Sequence, residues 1–225
     1  MSTAGASGAT PAVRDFGPTL PALLRRCFGV RERVTIAVAV VLVCGATAAV
    51  LAALLTGPKQ LVYRAGPTFN LQYEADLLHR VAPRGEELVR LEAHRGPLSA
   101  SLTVAPLRLP PYPGNVTSGL MPVYADRFER ALSSSIPGYV SHDEGSARVN
   151  DAQGYQIGFS SGAAGHFTWG RDMLLVPRDE DVTEGVLLRL RQTKTGPFTK
   201  HDNGFLERVR RAFKSFNFGT DRGKW

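Results

Sequence analysis

Residues 155–193, YQIGFSSGAAGHFTWGRDMLLVPRDEDVTEGVLLRLRQT, decide the fold. They contain three strand-like runs, Tyr155 to Ser160, Met173 to Val176 and Val186 to Thr193, rich in aromatic and aliphatic residues. Gly-rich residues separate the first two and acidic residues the last two, turns that suit antiparallel connections better than crossover helices. An antiparallel sheet is therefore expected. Two further runs repeat apolar residues at period two, Phe69, Leu71 and Tyr73, and then Leu102 and Val104, each the pattern of a half-buried strand.

Two amphipathic helices accompany the strands. Ser118 is placed to cap a helix running to about Ser135, with Pro122 in the opening turn, Leu120, Tyr124, Phe128 and Leu132 at four-residue spacing, and Pro137-Gly138 ending it. Asp126, Arg127, Glu129 and Arg130 fall on the other side, as solvent exposure requires. A second helix is predicted over about Phe205 to Phe213, after Asp202-Asn203-Gly204, with Phe205, Leu206, Val209 and Phe213 on one face. Residues Pro106 to Gly114, with prolines at 106, 110, 111 and 113, read as an extended loop. Strands with interspersed helices predict an α+β fold, a largely antiparallel sheet layered with two amphipathic helices.

Upstream, Val34 to Leu55 (VTIAVAVVLVCGATAAVLAALL) is twenty-two positions without a charge. At about 1.5 Å per residue such a helix crosses a hydrocarbon core of roughly 30 Å. Arg14, Arg25, Arg26, Arg31 and Arg33 precede it, and Lys59 and Arg64 follow, so the positive-inside rule puts the N-terminus in the cytoplasm and the larger part of the chain outside it. The run exceeds the 7 to 15 apolar residues of a cleavable signal, so a retained signal anchor is expected. Arg25-Arg26-Cys27-Phe28 partly matches a twin-arginine signal, but Arg31, Glu32 and Arg33 interrupt it; Val41-Leu42-Val43 before Cys44 is unsuited to lipidation. The expected division is a disordered basic cytoplasmic tail and juxtamembrane segment (1–33), with a short helix over about Leu23 to Gly29, and a transmembrane signal anchor (34–55). A linker and first extended segment (56–67), an exported α+β domain (68–218) and a C-terminal tail (219–225) follow.

The chain carries a net charge of +7, split into +3 over residues 1–33 and +4 over residues 58–225, so neither part is a basic tail; nucleic acid is not an expected partner. Both cysteines, Cys27 and Cys44, lie at or before the apolar run, so no disulfide staples the outer domain. Asn115-Val116-Thr117 fits a glycosylation sequon, but the Ala, Arg and Gly usage is that of a high-GC bacterium, where it is incidental.

Several constellations in the chain contain residue types that carry chemistry. Gly158-Phe159-Ser160-Ser161-Gly162 fits the nucleophile elbow G-x-S-x-G, and Ser160, Asp172 and His201 follow the chain order of a hydrolase triad. The residues after Ser160 have no helical period, so a glycine-rich hairpin is the favoured reading and a serine hydrolase the alternative. Lys194-Thr195-Gly196 matches one element of penicillin-binding enzymes, without the S-x-x-K that supplies their nucleophile. Histidines at 79, 94, 142, 166 and 201 show no zinc spacing. Asp179, Asp181 and Glu184 could offer oxygens to a cation but lack the glycine and spacing of a calcium loop, and a solvated hairpin turn accounts for them. No cofactor is expected. Arg208, Arg210, Arg211 and Lys214 make the last helix basic, which suits either an anionic surface or the outer face of an amphipathic helix.

The strand Phe69 to Tyr73, the helix segment Phe128-Glu129-Arg130-Ala131-Leu132, the strand Gly154-Tyr155-Gln156-Ile157-Gly158 and the closing Ser215-Phe216-Asn217-Phe218 together resemble the PsbP-like α/β/α sandwich over roughly residues 60 to 218. Glu74 stands where that family often has a proline. Single-pass actinobacterial envelope proteins of unknown function often resemble it, and the resemblance implies an accessory or binding module with no catalytic set. The expected function is therefore a membrane-anchored exported module, localised to the cell membrane, that binds an envelope protein, a polymer or a small ligand. Candidate binding loops hold Pro110, Pro111, Tyr112 and Asn115, and His166 in the turn from Ser160. A structural role in a membrane complex, through Gly45, Ala46, Ala48 and Ala49, is a further alternative.

Overall fold

The computed structural model describes residues 19–28, 32–56, 58–163, 165–178 and 184–221. It divides into two units, residues 1–55 and 56–225.

The first unit contributes helices α1 (Leu20–Phe28) and α2 (Glu32–Thr56). Helix α1 begins three residues before the expected short helix; the rest of the tail expected to be disordered, residues 1–18, lies outside the described residues. Helix α2 has 25 residues and contains the whole uncharged run. Nearly all of its described apolar side chains are exposed, Val41, Leu42 and Val43 at 69, 65 and 63%. The described residues by themselves contain no helix long and apolar enough to cross a membrane, the side chains at 32, 33, 35 and 53–56 of α2 lying outside them.

Among the described residues the second unit contains ten strands: β1 (Lys59–Tyr63), β2 (Phe69–Tyr73), β3 (His79–Val81), β4 (Val89–Arg95), β5 (Leu98–Arg108), β6 (Tyr139–Val149), β7 (Ala152–Ala163), β8 (His166–Val176), β9 (Glu184–Thr195) and β10 (Asn217–Phe218). Helix α3 (Met121–Ser135) lies between β5 and β6, and α4 (Asn203–Lys214) between β9 and β10. Seven strands form one sheet in the order β3-β4-β5-β9-β8-β7-β6, and β1-β2-β10 form a second; every pairing is antiparallel. The fold class read from the sequence is the one observed. The extended segment expected within 56–67 is β1, paired along its length with β2.

Each face of the large sheet is covered. Met121 and Ala125 of α3, with Tyr124 and Phe128 beside them, pack on Ile157, Leu174, Val176 and Leu187. On the other face Phe205, Leu206, Val209 and Phe213 of α4, with Phe69 and Leu71 of β2, pack on Leu102, Val104, Leu175, Leu188 and Leu190. The layers are thus helix, sheet, and helix plus small sheet. Period two explains why β9 serves both cores: Val186, Leu188 and Leu190 face α4, whereas Leu187 faces α3.

Three local expectations change. The N-terminal cap before α3 is Asn115 rather than Ser118: Asn115 Oδ1 accepts from the Ser118 N–H at 3.0 Å, at the head of a π turn over Val116–Leu120. The loop expected from Pro106 begins later, because β5 runs to Arg108 with Pro106 opposite Val186. Val104 turns its carbonyl to the β4 side, where Leu88 N–H bonds it at 2.7 Å; two residues on, Pro106 points the same way, past the end of β4, so its missing N–H costs no ladder bond. Finally, β2 is covered on both sides: Asn70 and Gln72 are buried with Phe69 and Leu71, and Asn70 Nδ2 donates to the Gly219 and Asp221 carbonyls at 2.9 and 2.7 Å.

Gly154 of β7 is required by its neighbour. A Cβ there would overlap the carbonyl oxygen of Leu174 and sit 2.8 Å from its carbon, both backbone atoms that a side-chain adjustment does not clear. Gly154→Ala is expected to lower stability toward the upper end of about 1–3 kcal/mol, the usual overpacking cost. A chemical-denaturation midpoint equal to that of the unsubstituted chain would contradict this.

Candidate functional site

Strands β6, β7 and β8, Leu190 of β9 and the last turns of α4 enclose a cleft of about 320 Å³, lined by Arg148, Val149, Asn150, Gln156, Trp169, Arg171, Met173, Leu190, Arg210, Phe213 and Lys214. Its place follows from the hairpin that closes it. Val149 and Ala152 are register partners, leaving Asn150-Asp151 as a two-residue turn, and Asn150 takes φ +50, a conformation asparagine tolerates better than most residues. The Asn150 Nδ2 donates to the carbonyls of Lys214 at 3.2 Å and Phe216 at 2.8 Å, pinning the end of α4 to the turn. Gln192 Nε2 donates to the Leu206 carbonyl at 3.2 Å and holds the helix to the sheet further back.

The floor is apolar, made by Met173 and Leu190 of the sheet and Phe213 of the helix. The wall is Trp169, with the Arg171 guanidinium 5.2 Å and that of Arg210 4.9 Å from the ring centroid. Arg171 is registered opposite Gly158, whose missing side chain leaves it room to reach Asp143 of β6 at 3.2 Å. The other arginines also have acidic partners, Arg210 with Glu207 at 2.6 Å and Arg148 with Asp151 at 3.3 Å. None of these carboxylates lines the cleft, and their side chains are 59, 52 and 74% exposed. Ion pairs so placed are worth only about 0–1 kcal/mol and leave the cations available. A concave site with an apolar floor and a few converging charges is the ordinary form of a small-ligand pocket.

The residues singled out from sequence lie elsewhere. Ser160 and Asp172 are on opposite faces of the sheet. Ser160 is opposite Trp169 on the α4 side, and its Oγ is 2.6 Å from His142 Nε2. Asp172 is fully buried on the α3 side, where it forms a two-pronged ion pair with Arg191, with Asp172 Oδ2 2.8 Å from Arg191 Nη2. His201 sits in the 3-10 turn Lys200–Asp202 before α4. The three are not assembled, because side chains at 160 and 172, paired through Ser160↔Trp169 and Ile157↔Asp172, alternate to different faces. The G-x-S-x-G segment is continuous strand, Ala163 pairing with His166 across a turn at Gly165, so the strained strand-to-helix elbow is not present there. No acidic partner of His142 is recorded among the described residues.

Asp179 and Asp181 lie outside the described residues, and Glu184 opens β9 opposite Arg108. Among the described residues no group of three or more His, Cys, Asp or Glu could hold a metal ion. Pro110, Pro111 and Tyr112 are exposed in the loop after β5, Asn115 is occupied as the cap, and exposed His166 has its Nδ1 3.4 Å from Thr195 Oγ1. None of these residues lines the cleft. The sequence flagged Arg210 and Lys214 only as part of a basic helix; Arg148, Trp169 and Arg171 carried no periodic signal, because they belong to strands that converge only in three dimensions.

Two other titratable groups lie outside the cleft. Burial, together with the Glu129 carboxylate 3.0 Å away, pushes the Tyr139 hydroxyl up to about 12. Beside the cleft helix, Asp202 holds the start of α4: its carboxylate accepts from Lys194 Nζ at 2.7 Å and from the Thr199 N–H at 2.6 Å, and these bonds, Lys194 first, lower its pKa below 3.8. A lowered carboxylate adds stability above its unfolded pKa and loses it as pH falls through the folded one. Asp202→Asn is therefore expected to lower the melting temperature at pH 7, with the gap to the parent chain closing as pH is taken below 3.8. A gap that stayed constant across that range would refute the assignment.

No protein-family model matches the chain, and no curated protein matches it significantly. Among solved structures, LpqN of Mycobacterium tuberculosis, described as involved in cell envelope biogenesis, is 12% identical over 72% of this chain and 92% of its own, with a TM-score of 0.46. The cyanobacterial PsbP of Synechocystis sp. PCC 6803 is 10% identical over 73% of this chain and 94% of its own, with a TM-score of 0.48. At these scores the likeness is one of outline, and the fold rests on the strand order and layers described above.

Proposed function

We propose that the chain is a membrane-anchored, extracytoplasmic binding module of the cell envelope that holds a small ligand in the cleft between α4 and β6–β8 and performs no catalysis. The observation that carries this reading is the cleft itself: an apolar floor and four basic side chains on a sheet and helix that are hydrogen-bonded to each other. The uncharged run 34–55 and its arginine-rich upstream flank support the anchor and the outward placing of residues 58–225. The layered order of helix, sheet, and helix plus small sheet, with the pattern from Phe69 to Phe218, supports a PsbP-like sandwich.

Two measurements test the reading. Protease added to intact cells should digest the outer domain and spare the N-terminal tail; protection of both would overturn the topology. Native mass spectrometry of the full chain released from the envelope should show a small-molecule adduct that Gln156→Trp, a half-buried cleft position, abolishes while leaving the circular dichroism unchanged. A bare mass in the parent chain, or an adduct that survives Gln156→Trp, would overturn the cleft as the site; a protein partner retained without any adduct would move recognition to another surface.

A further inference from the structure

We infer that the ligand of the cleft carries a phosphate group on an apolar body, an inference that rests on the reading of the cleft as a ligand site. The charge pattern comes first. Arg148, Arg171, Arg210 and Lys214 all line one cleft of about 320 Å³, and no acidic residue lines it with them. The acids that do pair with the arginines, Asp151, Asp143 and Glu207, lie outside it and are more than half exposed, so water already competes for them and an incoming anion displaces little. Lys214 is exposed, and no ion pair is recorded for it among the described residues.

Four neighbouring cations repel one another, and a single carboxylate offers one negative charge and two oxygens against them. A phosphate offers up to two charges and at least three acceptor oxygens, and guanidinium forks match its geometry in pairs. Arg171 and Arg210 are already set for this. Both lie against Trp169, which restricts their rotamers before any ligand arrives, and they approach it from different elements, one from β8 and one from α4. Two preorganised forks converging from separate elements recognise a group that accepts bonds in more than one plane.

The floor sets the rest of the ligand. Met173, Leu190 and Phe213 offer no hydrogen bond to a sugar hydroxyl or a second charge, and methionine adapts to chains of varied shape. At a liquid share of about 30 Å³ per water, the cleft displaces about ten waters, enough for one phosphate with a short acyl, prenyl or ring segment. The same chemistry is found in a phosphate-headed lipid and in a soluble organic phosphate.

The test uses the full chain with Trp225→Phe, which leaves Trp169 as its single tryptophan, in nanodiscs of phosphatidylcholine. Trp169 fluorescence is titrated with hexyl phosphate, hexanoate, hexanol and inorganic phosphate. Hexyl phosphate is expected to bind at least tenfold tighter than each of the other three. Arg171→Gln should weaken it about tenfold or more, and Lys214→Gln and Arg148→Gln, at exposed positions, should weaken it severalfold even if Arg171→Gln disturbs the fold. Nanodiscs containing one-tenth phosphatidic acid distinguish the sources: loss of the hexyl phosphate response there identifies lipid as the source, and an undiminished response identifies a soluble phosphate. Hexanoate binding as tightly as hexyl phosphate would overturn the phosphate assignment and leave the cleft as a site for organic anions. Equal binding of hexanol would remove anion recognition altogether, and no response to any hexyl compound would overturn the cleft as a ligand site as well.

Discussion

Asp172→Ala is expected to destabilise the second unit by about 3–5 kcal/mol, the cost of breaking one partner out of a buried ion pair. Asp172 is fully buried in β8, and its carboxylate accepts both terminal nitrogens of Arg191, whose side chain is 23% exposed and whose guanidinium carbon lies 4.7 Å from the Phe159 ring centroid. Arg189 is the register partner of Asp172 and projects to the same face, over Phe128. Removing the carboxylate leaves two arginines on the covered face of the sheet with their nearest buried anion gone. Net stabilities of domains are about 5–15 kcal/mol, so the loss is a large part of the whole. Urea unfolding followed by near-ultraviolet circular dichroism measures it, and Ser160→Ala serves as the comparison. The Ser160 side chain bonds an exposed histidine, so its substitution should change stability by less than about 0.5 kcal/mol. A catalytic pairing of the two residues would require Asp172→Ala to alter reactivity toward a fluorophosphonate probe at a cost to stability no greater than that of Ser160→Ala.

Phe69→Ala should cost a similar amount, about 3–5 kcal/mol, for a different reason. Phe69 is fully buried where the small sheet meets the segment after α4, stacked on Tyr63 at 5.0 Å and on Phe216 at 5.5 Å, with Phe218 edge-on to Phe216 at 5.2 Å. Its removal opens a cavity beside the rings of Tyr63 in β1 and Phe216 after α4, in the core that holds β1, β2, β10 and α4 to the large sheet. Hydrogen exchange should therefore accelerate first in β1, β2 and α4, with β7, β8 and β9 following only at global unfolding. Uniform acceleration across all of these elements would show that the small sheet is not a separable layer.

Both residues show where sequence reading succeeds and where it stops. Phe69 was legible because F-x-L-x-Y alternates at the strand period, and alternation is a local property of the chain. Asp172 was legible only as an acid in the chain order of a triad; its fate was set by pairing register, since a shift of one residue would have turned it to the other face. The same contrast holds for whole strands. The apolar runs of β7, β8 and β9 announce themselves, whereas β6, an edge strand with a bulge between Ser141 and Asp143 and charges at Asp143, Glu144 and Arg148, carries the residues that protect an edge from further pairing and so looks like a loop.

The sequence by itself determined the antiparallel α+β class, the two amphipathic helices with their inward faces, the twenty-two-residue uncharged run and the lack of cysteines after it, because each depends on periodicity, composition or counting within a short window. Only the tertiary structure decided that Ser160, Asp172 and His201 stay apart and that Arg148, Trp169, Arg171, Arg210 and Lys214 come together. The cleft is built from four strands and the end of a helix that are as much as 66 residues apart in the chain, brought together by register and by the bonds of Asn150 to the carbonyls of Lys214 and Phe216. No local pattern encodes such a meeting, since the energy that selects it comes from burying faces that the chain presents far apart.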